Sequence, residues 1–143
     1  MNNKIQTSTE ELVDVVKKIL DADQKASEAI ELLGSPPATQ APSSKVQFYD
    51  QFNNPLFSRM RVVVRDNQEN FTRVELILLE EIKVQKDDFI KSLNKGKVKS
   101  YPPYPDDFDH YNQEIAISKE VSIILTVEKE TDLIDFLNIE ELL

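Results

Sequence analysis

Asp106, Asp107, Asp109 and His110 form the tightest cluster of acid–base and metal-ligating residue types in the chain. A hard cation needs several oxygens converging on one point, and a short loop can supply them. The order Asp-Asp-Phe-Asp-His lacks the glycine and the terminal glutamate of a calcium loop. His110 beside Asp109 has the composition of an oriented base, but no nucleophile is marked out for it to activate. The plainer reading of this stretch is a solvated acidic loop.

Three other patterns carry potential chemistry. Glu81-Ile82-Lys83 is a Glu-x-Lys on an extended run, the arrangement of some metal-dependent nucleases. It would need an Asp sharing the metal, and neither Asp66 nor Asp50 is singled out for that role. All four arginines, Arg59, Arg61, Arg65 and Arg73, lie within one predicted hairpin and point outward from it. Their fork geometry suits carboxylate or phosphate, so they form a candidate patch for an anion or an acidic partner. Cross-strand pairing, such as Arg61 with Glu75, is the simpler account. Tyr101-Pro102-Pro103-Tyr104-Pro105 favours a polyproline conformation that aromatic grooves read, or else a stiff loop.

The rest of the composition narrows the field. The chain has 143 residues, 40% hydrophobic and 30% charged, with one His, two Gly, and no Cys or Trp. That length is one domain's worth. Disulfide scaffolds, thiolate sites and cysteine nucleophiles are excluded, and a glycine-rich phosphate loop is not available. The net charge is −9. Such a field opposes nucleic acid and anionic membrane surfaces. There is no secretory-type apolar run near the N-terminus and no stretch of roughly 20 apolar residues, so a cytoplasmic location is expected.

Charge is unevenly spread. Residues 83–99 hold six Lys and two acids, a net +4, whereas residues 100–143 hold two Lys and eleven acids, a net −9. The two segments can screen each other within the molecule. Alternatively, Asp106, Asp107, Asp109, Glu128, Glu130, Asp132, Asp135, Glu140 and Glu141 form an acidic face that steers a basic protein partner.

The elements that must position these residues follow from periodicity. Residues 8–34 read as an amphipathic helix, opened by a capping box at Ser8/Glu11 or Thr7/Glu10 and closed by Gly34. Leu12, Val16, Ile19, Ile30 and Leu33 form a stripe that can pack on its own domain, pair with itself, or receive a partner helix. Residues 35–45, rich in Pro, Ser and Ala, read as a linker. From Val46 the period becomes two. Strands are expected at 46–52, 56–65 and 71–84. Placing Arg65 opposite Phe71 sets Val62 against Val74 and Met60 against Leu76 inward, with Val63–Arg73, Arg61–Glu75 and Arg59–Ile77 outward. Glu80 would fall on the inward face, which argues for a bulge or strand end near it. A short helix follows over 86–94, then a long loop over 96–111. One or two strands are expected over 114–127, split near Lys119-Glu120. Last comes a helix capped by Thr131 and carrying Leu133, Ile134, Phe136, Leu137, Ile139, Leu142 and Leu143.

These readings predict an α+β protein: an antiparallel sheet of four to five strands with helices on one face, preceded by a tethered N-terminal amphipathic helix. The expected units are the helix at 1–34, the linker at 35–45 and an acidic domain at 46–143. The expected function is a non-enzymatic protein-binding module, in an inhibitor, immunity-type, chaperone or assembly-adaptor role. It would act through the acidic face or the helix and would need no cofactor. The alternatives are a metal-dependent enzyme or metal-binding domain built on Asp106–His110, and a structural subunit that self-associates through the N-terminal helix.

Overall fold

The computed structural model describes residues 3–21, 46–49, 55–65, 71–99 and 109–141. Two helices and seven strands run in the order α1 (Asn3–Asp21), β1 (Val46–Tyr49), β2 (Phe57–Arg65), β3 (Phe71–Leu78), α2 (Lys86–Leu93), β4 (Lys97–Lys99), β5 (His110–Ala116), β6 (Val121–Glu128) and β7 (Ile134–Glu141). All neighbouring strands are antiparallel. The sheet order is β1-β2-β3-β7-β6-β5-β4, two meanders joined where β3 pairs with β7. Six strands have four or more residues and β4 has three, so the sheet is wider than the four to five strands expected.

Alternation along the strands builds one apolar face. Val62, Val74, Ile139, Ile123 and Ile115 line up across five strands, with Met60, Leu76, Leu137 and Leu125 as the adjacent row. All nine are at most 2% exposed. Burying each such aliphatic side chain contributes about 1.5–3 kcal/mol. On α1, Leu12, Val16 and Ile19 recur at helical spacing, are fully buried, and belong to that same core with Phe89 and Leu93 of α2. The exposed side of α1 carries the Asp14–Lys18 pair at 3.0 Å, one turn apart. Thus Leu12, Val16 and Ile19 are core residues rather than a free interface. Ile30, Leu33, the remainder of the predicted 8–34 helix and the 35–45 linker lie outside the described residues. The helix also begins upstream of the predicted capping box, and Ser8 and Thr9 are buried within it.

The predicted β2–β3 register holds at Met60–Leu76, Val62–Val74, Arg61–Glu75, Val63–Arg73 and Arg59–Ile77. An irregularity between Val63 and Val64 then places Val64, not Arg65, opposite Phe71. Strand β3 stops at Leu78, well short of Val84, and Glu80 sits exposed in the following turn. Strand β1 is described over Val46–Tyr49, and residues 50–52 of its expected span lie outside the described residues. The expected loop over 96–111 instead contains β4 and the start of β5. Helix α2 is close to its predicted span. Asp87 and Asp88 complement the positive N-terminal end of its dipole, and Asn94 caps it in the left-handed conformation with its N–H donating to Ile90 O.

The largest correction is the C-terminal segment. It is a central strand, β7, and Thr131 serves the turn before it rather than a helix. The cause is a bulge. Thr126 pairs with Phe136 but Val127 pairs with Ile134, leaving Asp135 out of the ladder. The buried residues of β7 are therefore Ile134, Leu137 and Ile139, and the odd first spacing imitates helical periodicity.

Candidate functional site

The second face of the sheet is mixed: Val63, Ile77, Ile124 and Phe136 share it with a charged and polar row. Arg61, Glu75, Asn138, Ile124, Glu114 and Lys99 succeed one another across it by register. Glu75 sits between two arginines, with Arg61 Nη1 at 3.7 Å and Arg73 Nε at 2.8 Å. Pairing with Glu75, across the strands for Arg61 and along β3 for Arg73, thus absorbs part of the predicted arginine patch. Arg59 is exposed on the same face, and the Arg65 side chain lies outside the described residues.

At the end of the sheet where β5 begins and the β6–β7 hairpin turns, a cavity of about 290 Å³ is lined by Asp109, His110, Glu128, Lys129, Glu130 and Asp135. Local structure positions each of these. Register places His110 opposite Glu128. The β7 bulge turns Asp135 out of the ladder, where its Oδ2 lies 2.6 Å from His110 Nε2. An ionised carboxylate only accepts, so that imidazole nitrogen carries the proton. The hairpin turn is tightly hydrogen-bonded: Glu128 N–H to Leu133 O at 2.9 Å, Asp132 N–H to Glu128 O at 2.9 Å, and Lys129 N–H to Asp109 O at 2.8 Å. Thr131 Oγ1 donates to Glu128 Oε1 and accepts from Leu133 N–H, an intra-turn role rather than a helix cap.

Beneath the turn, Asp132 is a brace. Its φ of 58° is left-handed, a conformation aspartate tolerates better than most side chains. Its carbonyl accepts from Lys86 N–H at the start of α2, and its Oδ1 accepts from the Tyr111 hydroxyl at 2.6 Å. Lys86 Nζ lies 5.2 Å from the centre of the Tyr111 ring. Burial, reinforced by the bond to Asp132, pushes the Tyr111 hydroxyl above its usual range. For Lys86, burial favours the neutral amine, but Tyr111, Asp87 and Asp132 outweigh it and raise its pKa.

The predicted acidic set therefore divides. Asp109, Glu128, Glu130 and Asp135 converge on the cavity, and Asp132 supports it from below. Glu140 lies on the second sheet face at the level of Arg73, and Glu141 pairs with Val121, both toward the opposite end of β7. Asp106 and Asp107 lie outside the described residues. Sequence reasoning missed Lys129, Tyr111 and Lys86. The available signal was Glu128-Lys129-Glu130-Thr131-Asp132, a polar run between two β-forming segments that reads as a hairpin turn.

The lining carries four carboxylates and one lysine, a net −3 with His110 neutral. Among the described residues, no three His, Asp or Glu side chains are grouped so as to hold a metal ion. What the arrangement offers is hydrogen-bond acceptors spread around a concave volume, suited to a larger organic cation. No family model, curated protein or solved structure matches this chain. No described helix is long and apolar enough to cross a membrane.

Proposed function

We propose that this protein is a non-catalytic protein-binding module whose acidic end receives a lysine or arginine side chain of a basic partner. The observation that carries this reading is the convergence of Asp109, Glu128, Glu130 and Asp135 around one cavity on a braced turn. Carboxylates held by a rigid turn lose little freedom when a cation enters, so more of the attraction appears as affinity. The surrounding −9 field adds steering. Packing of Leu12, Val16 and Ile19 into the core favours this surface over the N-terminal helix as the contact.

The test is an amide and imidazole shift titration of the full chain with a blocked arginine-containing peptide at low and high salt. The expected result is saturable shifts at Asp109, His110 and residues 128–130, weakened by salt. Shifts scattered over the whole acidic surface would overturn the assignment of the site.

A further inference from the structure

One edge of the sheet has the opposite chemistry. Strand β4 is the outermost strand on that side and, among the described residues, pairs with β5 alone. Its residues Lys97, Val98 and Lys99 are all exposed, whereas each longer strand with described side chains buries part of its length. Val98, at 42%, is the one exposed large hydrophobic among the described residues. Lys91 and Lys95 precede the strand; Lys95 pairs with Asp21 at 3.6 Å and Lys99 lies 3.9 Å from Glu114, a long contact, whereas Lys97 makes no ion pair among the described residues.

The direction of the backbone groups follows from the ladder. Ile117 N–H donates to Val121 O, toward β6. Alternation then aims the N–H and C=O of Ala116 and Glu114 toward β4. These residues pair with Lys97 and Lys99, so the N–H and C=O of Val98 point away from the sheet. Gln113 Nε2 donates to Lys99 O at 2.6 Å, which agrees with Lys99 facing inward along the ladder. Val98 therefore presents one donor and one acceptor with no partner among the described residues, flanked by two lysines.

We propose that the β4 edge binds an extended acidic segment of a partner protein by strand addition, with carboxylates at alternate positions opposite Lys97 and Lys99. Main-chain bonds at Val98 supply the docking, and the lysines select the sequence. A second copy of this chain is disfavoured at the same edge. Antiparallel self-pairing about Val98 would set each Lys97 against the other copy's Lys99, a like-charge pair on each side. Edge lysines are a common guard against such self-pairing. An acidic strand turns both of these repulsions into attractions. This edge is separate from the acidic cavity, and the two sites would recognise partners of opposite charge.

The test is a titration of the isotope-labelled full chain with a blocked eight-residue peptide alternating glutamate and valine. Its controls are the same peptide with lysine replacing glutamate, and a single-stranded oligothymidylate of equal charge. The expected result is saturable amide shifts centred on residues 96–99 with the glutamate peptide only. Lys97→Glu should weaken binding about 3- to 10-fold by reversing one exposed pair. Val98→Pro should weaken it by a similar or larger factor, because it removes the outward N–H while leaving the inward bonds of Lys97 and Lys99 in place. Protection of the Glu114 and Ala116 amides reports whether β4 survives in that variant, and Lys97→Glu decides if it does not. Shifts centred elsewhere, equal binding of the lysine peptide, or equal binding of the oligothymidylate would overturn the proposal.

Discussion

Leu137→Ala probes the β7 assignment directly. Leu137 is fully buried, with Leu76 and Leu125 opposite it on the two flanking strands. Truncation removes about three buried carbons at about 0.8 kcal/mol each and leaves a cavity between two strands that cannot readily close. The expected cost is about 3 kcal/mol, a large share of the 5–15 kcal/mol typical of a domain. For a chain of this size that lowers Tm by about 6–12 °C. Leu133 is the comparison, because it is only half-buried and precedes the strand. A C-terminal helix would use Leu133 and Leu137 on one face, so Leu133→Ala and Leu137→Ala would then cost about the same. The assay is urea unfolding followed by circular dichroism, with calorimetry for Tm. A Leu137→Ala cost below about 1 kcal/mol, or one no larger than that of Leu133→Ala, would refute the central-strand placement.

Two further outcomes follow from the brace and from the loop before β4. Tyr111 and Lys86 both have raised pKa values, so each holds its proton more tightly in the folded state than in the unfolded chain. Their contribution is complete below the unfolded values near pH 10 and is lost as pH rises through the folded ones. Tyr111→Phe should cost about 1–2 kcal/mol at pH 7 and make the alkaline loss of stability shallower, read as urea midpoints from pH 7 to 11.5; an unchanged alkaline slope would contradict the brace. Gly96 has φ of 75°, and a Cβ there would lie 2.5 Å from Ala116 O. Gly96→Ala should therefore cost about 2 kcal/mol or more in thermal unfolding, and a neutral result would contradict the β4–β5 approach.

Much of the β2–β3 hairpin was legible because a half-buried antiparallel pair constrains register through parity alone. Met60, Val62, Val74 and Leu76 had to share a face, and they do. The C-terminal strand was not legible for a related reason. Parity fails at a bulge, and Asp135 shifts the phase so that Ile134, Leu137 and Ile139 imitate a helix. The same residue was placed in a generic acidic face, and only the bulge shows why it meets His110. Lys129 was overlooked because a lysine between two glutamates reads as a solvated turn. Its place in the cavity depends on the non-local bond from its N–H to Asp109 O. Of the N-terminal stripe, Leu12, Val16 and Ile19 do share one buried face, but nothing in their periodicity distinguishes a core face from a partner face.

The most direct test of the acidic-end reading compares two triple variants of equal charge change by fluorescence anisotropy with a labelled arginine-rich peptide. One neutralises the cavity, Asp109→Asn with Glu128→Gln and Glu130→Gln. The other neutralises the exposed turn acids, Glu80→Gln with Glu81→Gln and Glu120→Gln. With each of the three lost pairs contributing roughly 0.5–1 kcal/mol, the cavity variant should bind about 10- to 150-fold more weakly. The turn variant should stay within about 2-fold of the wild type, since dispersed exposed charges act only through a screened field. Equal weakening in both variants would show that net charge alone binds the peptide and would contradict a built site at the acidic end.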